Sequence, residues 1–388
     1  MKQRLAIVTT HPIQYNAPWF RLLAASEKVE IRVFYTWQDS QTIAKYDPGF
    51  NRVVEWDIPL LEGYDYTFVK NVSANQGSHH FKGIDNPTLC KEIENWKADA
   101  VLVFGWAYKS HLKCLRYFKG KVPVIFRGDS TLLDATGTVK KIIRKLLLTY
   151  IYSHIDYALY VGTNNKQYFL SYGVPERKLI HAPHAIDNDR FVDVDGRYTN
   201  AAKQWKEELG ISANDFVLLF AGKLEHKKNP EYLLNIAKQI LDTNLRFIIV
   251  GNGELEEALK ASATNDNRII FIDFQNQQQM PVVYRLADVF ILPSRGPQET
   301  WGLAINEAMA CRLPVIASSK AGGAIDLISG NGIIIDPDDT SLAIMYIKQL
   351  MTNKNLQDEH KQVSSKRIEH FSYQHIVSAI ETLVHKIS

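Results

Sequence analysis

The chain has 388 residues, 46% apolar and 22% charged, with a formal net charge of +3, a size and make-up that suit about two ordinary globular domains. So mild a charge, with no basic–aromatic module, argues against a nucleic-acid partner, and no run approaches the roughly 18–20 apolar residues of a membrane-crossing helix. Cys90, Cys114 and Cys311 lack C-x-x-C spacing, and His79–His80 and His181/His184 lack matching carboxylates or cysteines, which excludes a disulfide framework and a metal set from the reading.

The start, MKQRLAIVTTHPIQY, has too short an apolar run for a signal peptide, so a cytoplasmic protein is expected. From there short β-branched runs alternate with helical patterns. The predicted strands of the first half are LAIVTT, EIRVFYTW, AVLVFGW, VPVIFRG and YALYVG. Those of the second half are FVLLFAGKL, RFIIVGNG, RIIFIDF, VFILPS, LPVIAS and GIIIDP. Strands apolar on both faces with helices between them predict buried parallel sheet. Two such arrays predict an α/β chain of two Rossmann-like doubly wound domains. The polar stretch after residue 186 carries no strand run and sets the boundary: 1–190, then 191–370. The segment 371–388 reads as an amphipathic helix packing back on the first domain. Ligands of such sheets bind beyond the carboxyl ends of the strands, and the cleft between facing domains is the expected site.

The candidate residues therefore stand at strand ends. After the first strand, THPIQYNAPWF offers His11, Gln14, Tyr15 and Asn16 as cleft-lining groups, ahead of a helix opened by Pro18; a structural loop is the alternative. VPVIFRGDST offers Arg127 and Asp129 for sugar or phosphate contacts. TVKKIIRKLLLTYIYSHI, around 138–153, is a basic amphipathic pattern. Its plainer reading is a packed helix with a solvated basic face; the other is docking on an anionic membrane surface. In the second half, FAGKLEHKKNPEY brings Gly222, Lys223 and Lys228 to a strand's carboxyl edge, with Asn229 as the expected cap of the next helix. GNGELEEAL is a fragment of a phosphate loop, better read as a tight turn. In SRGPQETWGLAINEAMA a helix starts near Trp301, Gly302 and Leu303, and its free N–H groups could cradle a diphosphate. Glu299 precedes that start and Glu307 lies two turns inside, among apolar residues, where a buried charge requires partners such as a vicinal diol.

Taken in order, FAGKLEHKKNPEYLL, IIVGNGEL, YRLADVFILPS, ETWGLAINEAMACRLPVIAS, AGGAIDLI and GIIIDPDD resemble the retaining GT-B glycosyltransferases of family 4. The likeness covers roughly residues 160–388 well and the remainder loosely. It implies that Lys223 and Lys228 stabilise the leaving nucleotide diphosphate, with lysine at the first position where arginine is usual. It implies that Glu307 binds ribose, that Glu299 faces the donor sugar, and that the backbone of Trp301, Gly302 and Leu303 cradles the diphosphate. It further implies a hexose-type donor, a UDP- or GDP-sugar, a glycan or lipid-linked acceptor held by the first domain, no cofactor and no metal. The family's histidine near the donor sugar has no counterpart at RGDST. Rival readings are a nucleotide-sugar epimerase or phosphorylase on the same fold, and a non-catalytic nucleotide-binding protein.

Overall fold

The computed structural model of the chain describes residues 2–37, 44–47, 49–50, 52–134 and 137–387. In chain order its strands are β1 (Gln3–Thr9), β2 (Val29–Tyr35), β3 (Ala44–Asp47), β4 (Arg52–Glu55), β5 (Asp65–Phe68), β6 (Ala100–Phe104), β7 (Val124–Arg127) and β8 (Tyr157–Tyr160). They continue as β9 (Leu179–His181), β10 (Phe216–Ala221), β11 (Leu245–Val250), β12 (Ile269–Ile272), β13 (Val289–Leu292), β14 (Val315–Ser318) and β15 (Gly332–Ile335). One seven-stranded sheet runs β5-β2-β1-β6-β7-β8-β9 and one six-stranded sheet runs β12-β11-β10-β13-β14-β15, while β3 and β4 pair alone. All pairings in the two large sheets are parallel. The all-apolar strand runs explain this: all six residues of β10 are buried, as helices covering both faces of a parallel sheet require.

Every strand read from the sequence is present, and each sheet forms one Rossmann-like domain. β3, β4, β5 and β9 escaped the reading: β3 and β4 have four residues each and pair alone, β5 is a short edge strand that exposes Asp65 and Tyr66, and β9 has three residues. The chain divides into two compact units, 1–43 with 59–184 and 373–388, and 44–58 with 185–372. Residues 44–58 were assigned to the first domain and instead join the second. Gln278 N donates to Asp57 Oδ2 at 3.0 Å, the Asn276 side chain donates to the Glu55 carbonyl, and Phe50 packs edge-on to Phe274 at 4.6 Å. No hydrophobic period in so short a stretch announces that docking.

The last helix, Tyr373–Ile387, belongs to the first unit and buries Tyr373, Ile376, Val377, Ile380, Leu383 and Val384. Its Glu381 accepts from Ser26 Oγ at 2.5 Å and Lys28 Nζ at 2.9 Å. The segment between β9 and β10 carries two helices, Asn188–Phe191 and Arg197–Glu208, and no strand.

Candidate functional site

The order of the second sheet reverses at β10: the chain steps outward to β11 and β12, then returns to place β13 on β10's other side. Outside such a switch point the two loops diverge and leave room for a ligand. β10 leads into Gly222, Lys223 and Lys228; β13 leads into the loop that carries Glu299 to Gly302. The predicted donor residues therefore flank one switch point.

Backbone contacts fix the first of these loops. Gly222 N donates to Val250 O and Leu224 N to Asn252 O, both at 3.0 Å. Gly251 has φ +133°, and a Cβ there would lie 2.0 Å from Gly222 O. The GNG run is thus a tight turn whose glycines let two strand ends touch. Asn229 does not cap the following helix, Glu231–Gln239. It is buried with φ 55°, and its side-chain amide donates to Pro293 O and Pro337 O, both at 3.1 Å, tying the ends of β13 and β15 together.

Across the switch point, Lys228 Nζ lies 2.5 Å from Glu299 Oε2, and Ser294 Oγ donates to the same oxygen at 3.0 Å. Glu299 is buried. Burial by itself would raise its carboxyl, but the Lys228 charge and hydrogen bond, with Lys227 and Ser294, hold it below the usual range. Glu299 and Ser294 thereby aim the Lys228 side chain, and an ammonium carries three donors of which this pair uses one. Lys223 places Nζ 4.9 Å from the Phe50 ring centroid, a cation–π contact with the 44–58 segment.

The helix starting beyond β13 is Leu303–Ala310, with Gly302 at its N-cap in the left-handed region, φ +95°. A Cβ at Gly302 would come 2.8 Å from Leu292 Cδ2, so glycine answers both the turn and the space. The Trp301 indole is buried, donates from Nε1 to Asn306 Oδ1 at 2.8 Å, and lies so close to Gly323 that a Cβ there would sit 2.7 Å from the ring. Gly322 N and Gly323 N donate to Glu299 O and Trp301 O, each at 2.9 Å. The AGG turn after β14 thereby clamps the helix start, which presents backbone rather than the Trp301 side chain. Glu307 is buried within the helix, and Tyr284 Oη donates to its Oε2 at 2.8 Å. That partner answers part of the buried-charge question raised by the sequence.

The first unit repeats the layout, with its switch point between β1 and β6. His11, Gln14, Tyr15 and Asn16 follow β1 there, all half-buried, ahead of the helix Ala17–Ala24 with Pro18 in its first turn. His11 Nδ1 meets Thr10 Oγ1 at 2.9 Å, and Asn16 Oδ1 accepts from Trp19 Nε1 at 3.3 Å. Arg127 is not an open anion contact: it is buried and donates to Ala182 O at 2.9 Å and Pro183 O at 3.1 Å, bracing the chain after β9. Burial pulls its guanidinium down to about 10, against the favourable charge of Asp129. Asp129 lies 3.5 Å from His184 Nε2. The sequence reading gave His184 no carboxylate partner because the two are far apart in the chain; the fold supplies one. A cavity of about 200 Å³ opens beside Asp129, lined among others by Gly105, Trp106, Arg144, Asn165 and Tyr168.

Tyr284, Ser294, His184 and Phe50 were not foreseen at either site. Only Tyr284 left a trace, as a polar-tipped aromatic in the apolar run PVVYRLA. Among the described residues, no group of three or more His, Cys, Asp or Glu could hold a metal ion, and no helix is long and apolar enough to cross a membrane.

Residues 201–367 match the family described as Glycosyl transferases group 1. The chain is 30% identical over 220 residues to the UDP-Gal:alpha-D-GlcNAc-diphosphoundecaprenol alpha-1,3-galactosyltransferase of Escherichia coli, covering 54% of each. It is 30% identical over 154 residues to the D-inositol 3-phosphate glycosyltransferase of Corynebacterium efficiens, covering 37% of this chain and 36% of that one. The matches thus span about half or less of these relatives' lengths. HepE of Anabaena, solved with UDP, is similar over 100% of both chains with TM-score 0.74 and 16% identity. WaaG, a glycosyltransferase involved in lipopolysaccharide biosynthesis, is similar over 99% of both with TM-score 0.63 and 14% identity. The chain has the GT-B fold of two Rossmann-like domains, and the region similar to group 1 glycosyl transferases lies within its second unit.

Proposed function

We propose, with that region as premise, that the chain is a retaining glycosyltransferase that moves a hexose-type sugar from a nucleotide-diphosphate sugar to a glycan or lipid-linked acceptor. The observation that carries the reading is the pairing of Lys228 with the buried Glu299 across the switch point, beside a glycine-started helix. A departing diphosphate needs charge stabilisation, and Lys223, Lys228 and the N–H groups around Leu303 are the groups assigned to supply it. Glu307 accepts from the ribose hydroxyls. Lys228 and Ser294 meet Oε2 of Glu299, and Oε1 is the atom assigned to a hydroxyl of the donor sugar. UDP is the favoured nucleotide, because HepE was solved with UDP and with UDP-glucose and the Escherichia coli relative uses UDP-Gal.

In the reaction the bond from C1 to the β-phosphate oxygen breaks, with its electron pair leaving on the diphosphate. The acceptor oxygen forms its bond to C1 on the same face, and its proton passes to the departing phosphate, so no side-chain base is required. The first unit takes the acceptor, with the 200 Å³ cavity and the His11–Asn16 loop as its candidate surfaces. The same charge argument assigns no metal or cofactor to the transfer, so turnover persists in EDTA.

A thermal-shift panel of UDP, GDP, ADP, CMP and dTDP with their sugar conjugates tests the reading. A ligand at about 100 times its Kd stabilises by about 2.7 kcal/mol. One clear nucleoside-diphosphate response is expected. No response at millimolar ligand from folded protein would remove the donor site and leave the binding-protein alternative without support as well. Epimerised donor formed without acceptor would favour the epimerase.

A further inference from the structure

The helix Thr138–Tyr152 in the first unit runs between β7 and β8. Leu148, Ile151 and Tyr152 anchor it in the core. Arg144 also turns inward, donating to Tyr168 Oη at 3.2 Å and lying 5.5 Å from that ring's centroid. The plainer expectation for this helix was a solvated basic face. Three of the basic residues, Lys140, Lys141 and Lys145, are indeed exposed, but so is the apolar side: Val139, Ile142, Ile143, Leu146, Leu147 and Tyr150 are 46–71% exposed. Their spacing, i, i+3, i+4, i+7, i+8 and i+11, makes one continuous stripe. At 100° per residue its centre lies nearly opposite the anchored face. Fifteen residues span about 22 Å. An apolar stripe of that length on a single helix marks an interaction surface.

We propose that this stripe seats the first unit on an anionic lipid bilayer, the helix lying in the interface plane with its apolar side among the acyl chains. Charge complementarity selects that occupant. Lys140 and Lys145 are exposed on either side of the stripe, Lys141 is exposed in the first turn on the side away from it, and the helix contains no acidic residue. The lysine stems are long enough to keep the ammonium groups at headgroup level while the stripe is buried. A second copy of the chain fits worse, because two-fold pairing of the stripe would bring the same lysines together with no carboxylate on the helix to offset them. The opposite side of the helix contributes Arg144 to the 200 Å³ cavity, so docking would bring that cavity close to the lipid headgroups. The inference rests on the helix alone and survives failure of the donor assignment.

Flotation of the full-length protein with vesicles of phosphatidylglycerol and phosphatidylcholine, against phosphatidylcholine alone, tests it. Binding to the anionic vesicles at least tenfold tighter is expected, weakened by raised salt. The variant Ile143→Glu/Leu146→Glu should lose at least tenfold while keeping the wild-type far-ultraviolet spectrum and nucleotide thermal shift; Lys140→Gln/Lys145→Gln should lose the preference for anionic lipid. Equal flotation of wild type and Ile143→Glu/Leu146→Glu, or no wild-type flotation, overturns the proposal. So does sedimentation showing a wild-type dimer that the double variant abolishes without any lipid binding, since the stripe would then be a self-association face.

Discussion

Replacing Lys228 by methionine isolates what holds the buried Glu299 ionised. In the wild type Nζ sits 2.5 Å from Oε2, and both side chains are largely shielded, at 19% and 7% exposure. Removing one partner of such a pair strands a charge and costs about 3–5 kcal/mol. Ser294 still donates to Glu299, which places the expectation at the lower end, near 3 kcal/mol. For a unit of about 200 residues that corresponds to a fall in Tm of roughly 6–12 °C. The dependence on pH is the sharper test. In the wild type Glu299 titrates below its unfolded value, so its contribution is full above about pH 4.3 and is lost as pH falls through the lower folded value. In Lys228→Met burial dominates and lifts the carboxyl above the unfolded value. The variant then carries a penalty at neutral pH that fades as the solution is acidified and the carboxyl takes up its proton. Urea midpoints of both proteins between pH 4.5 and 8 should therefore diverge most at the alkaline end and converge toward the acid end. The double variant Lys228→Met/Glu299→Gln should recover much of the loss at pH 8. A gap that stays constant with pH, or a double variant no more stable than the single one, would refute the stranded-charge argument.

Four further outcomes are expected. Glu307→Ala weakens nucleotide-sugar binding by about 1.5–3 kcal/mol, an increase in Kd of roughly 10–150-fold by isothermal titration. Tyr284→Phe, which removes the hydroxyl that donates to Glu307, costs about 0.5–1.5 kcal/mol in the same titration; unchanged affinity in both would remove the ribose assignment. Gly251→Ala drives a methyl group into the Gly222 carbonyl at 2.0 Å and lowers soluble yield and Tm sharply, whereas Gly105→Ala, at φ +68° with open space around it, costs only the left-handed strain of about 1–2 kcal/mol. Truncation after Ser372 removes six buried side chains from the first unit, each worth about 1.5–3 kcal/mol, and should leave that unit unable to fold, as read by the loss of its near-ultraviolet signal.

Strands such as FVLLFAG and VFILPS were legible because burial on both faces writes itself as uninterrupted apolar sequence. The site's charged residues were legible for the opposite reason: Lys228, Glu299 and Glu307 are costly where they stand and demand an explanation. What stayed hidden depends on pairing across the chain. Asn229 looked like a helix cap because N-P-E-Y has the local chemistry of one, yet its side chain serves carbonyls 64 and 108 residues away. Arg127 looked available because its two carbonyl partners follow a strand too short to predict. The helix Thr138–Tyr152 shows a third limit: its basic amphipathic pattern was legible, but which of its basic residues turns inward depends on what the rest of the unit offers, here Tyr168 drawing Arg144 inward.

The crossing of the chain between its two units has a consequence for biosynthesis. The first unit needs the helix Tyr373–Ile387, which leaves the ribosome roughly 190 residues after that unit's preceding segment ends at residue 184. At about 5–20 residues per second, translation takes about 10–40 s to supply it. The second unit, begun later, has almost all of its sequence by residue 372 and can close while the first still shows an uncovered groove to chaperones and proteases. A stop codon after residue 372 would then not merely shorten the protein; it would release one with its earliest-made half still open.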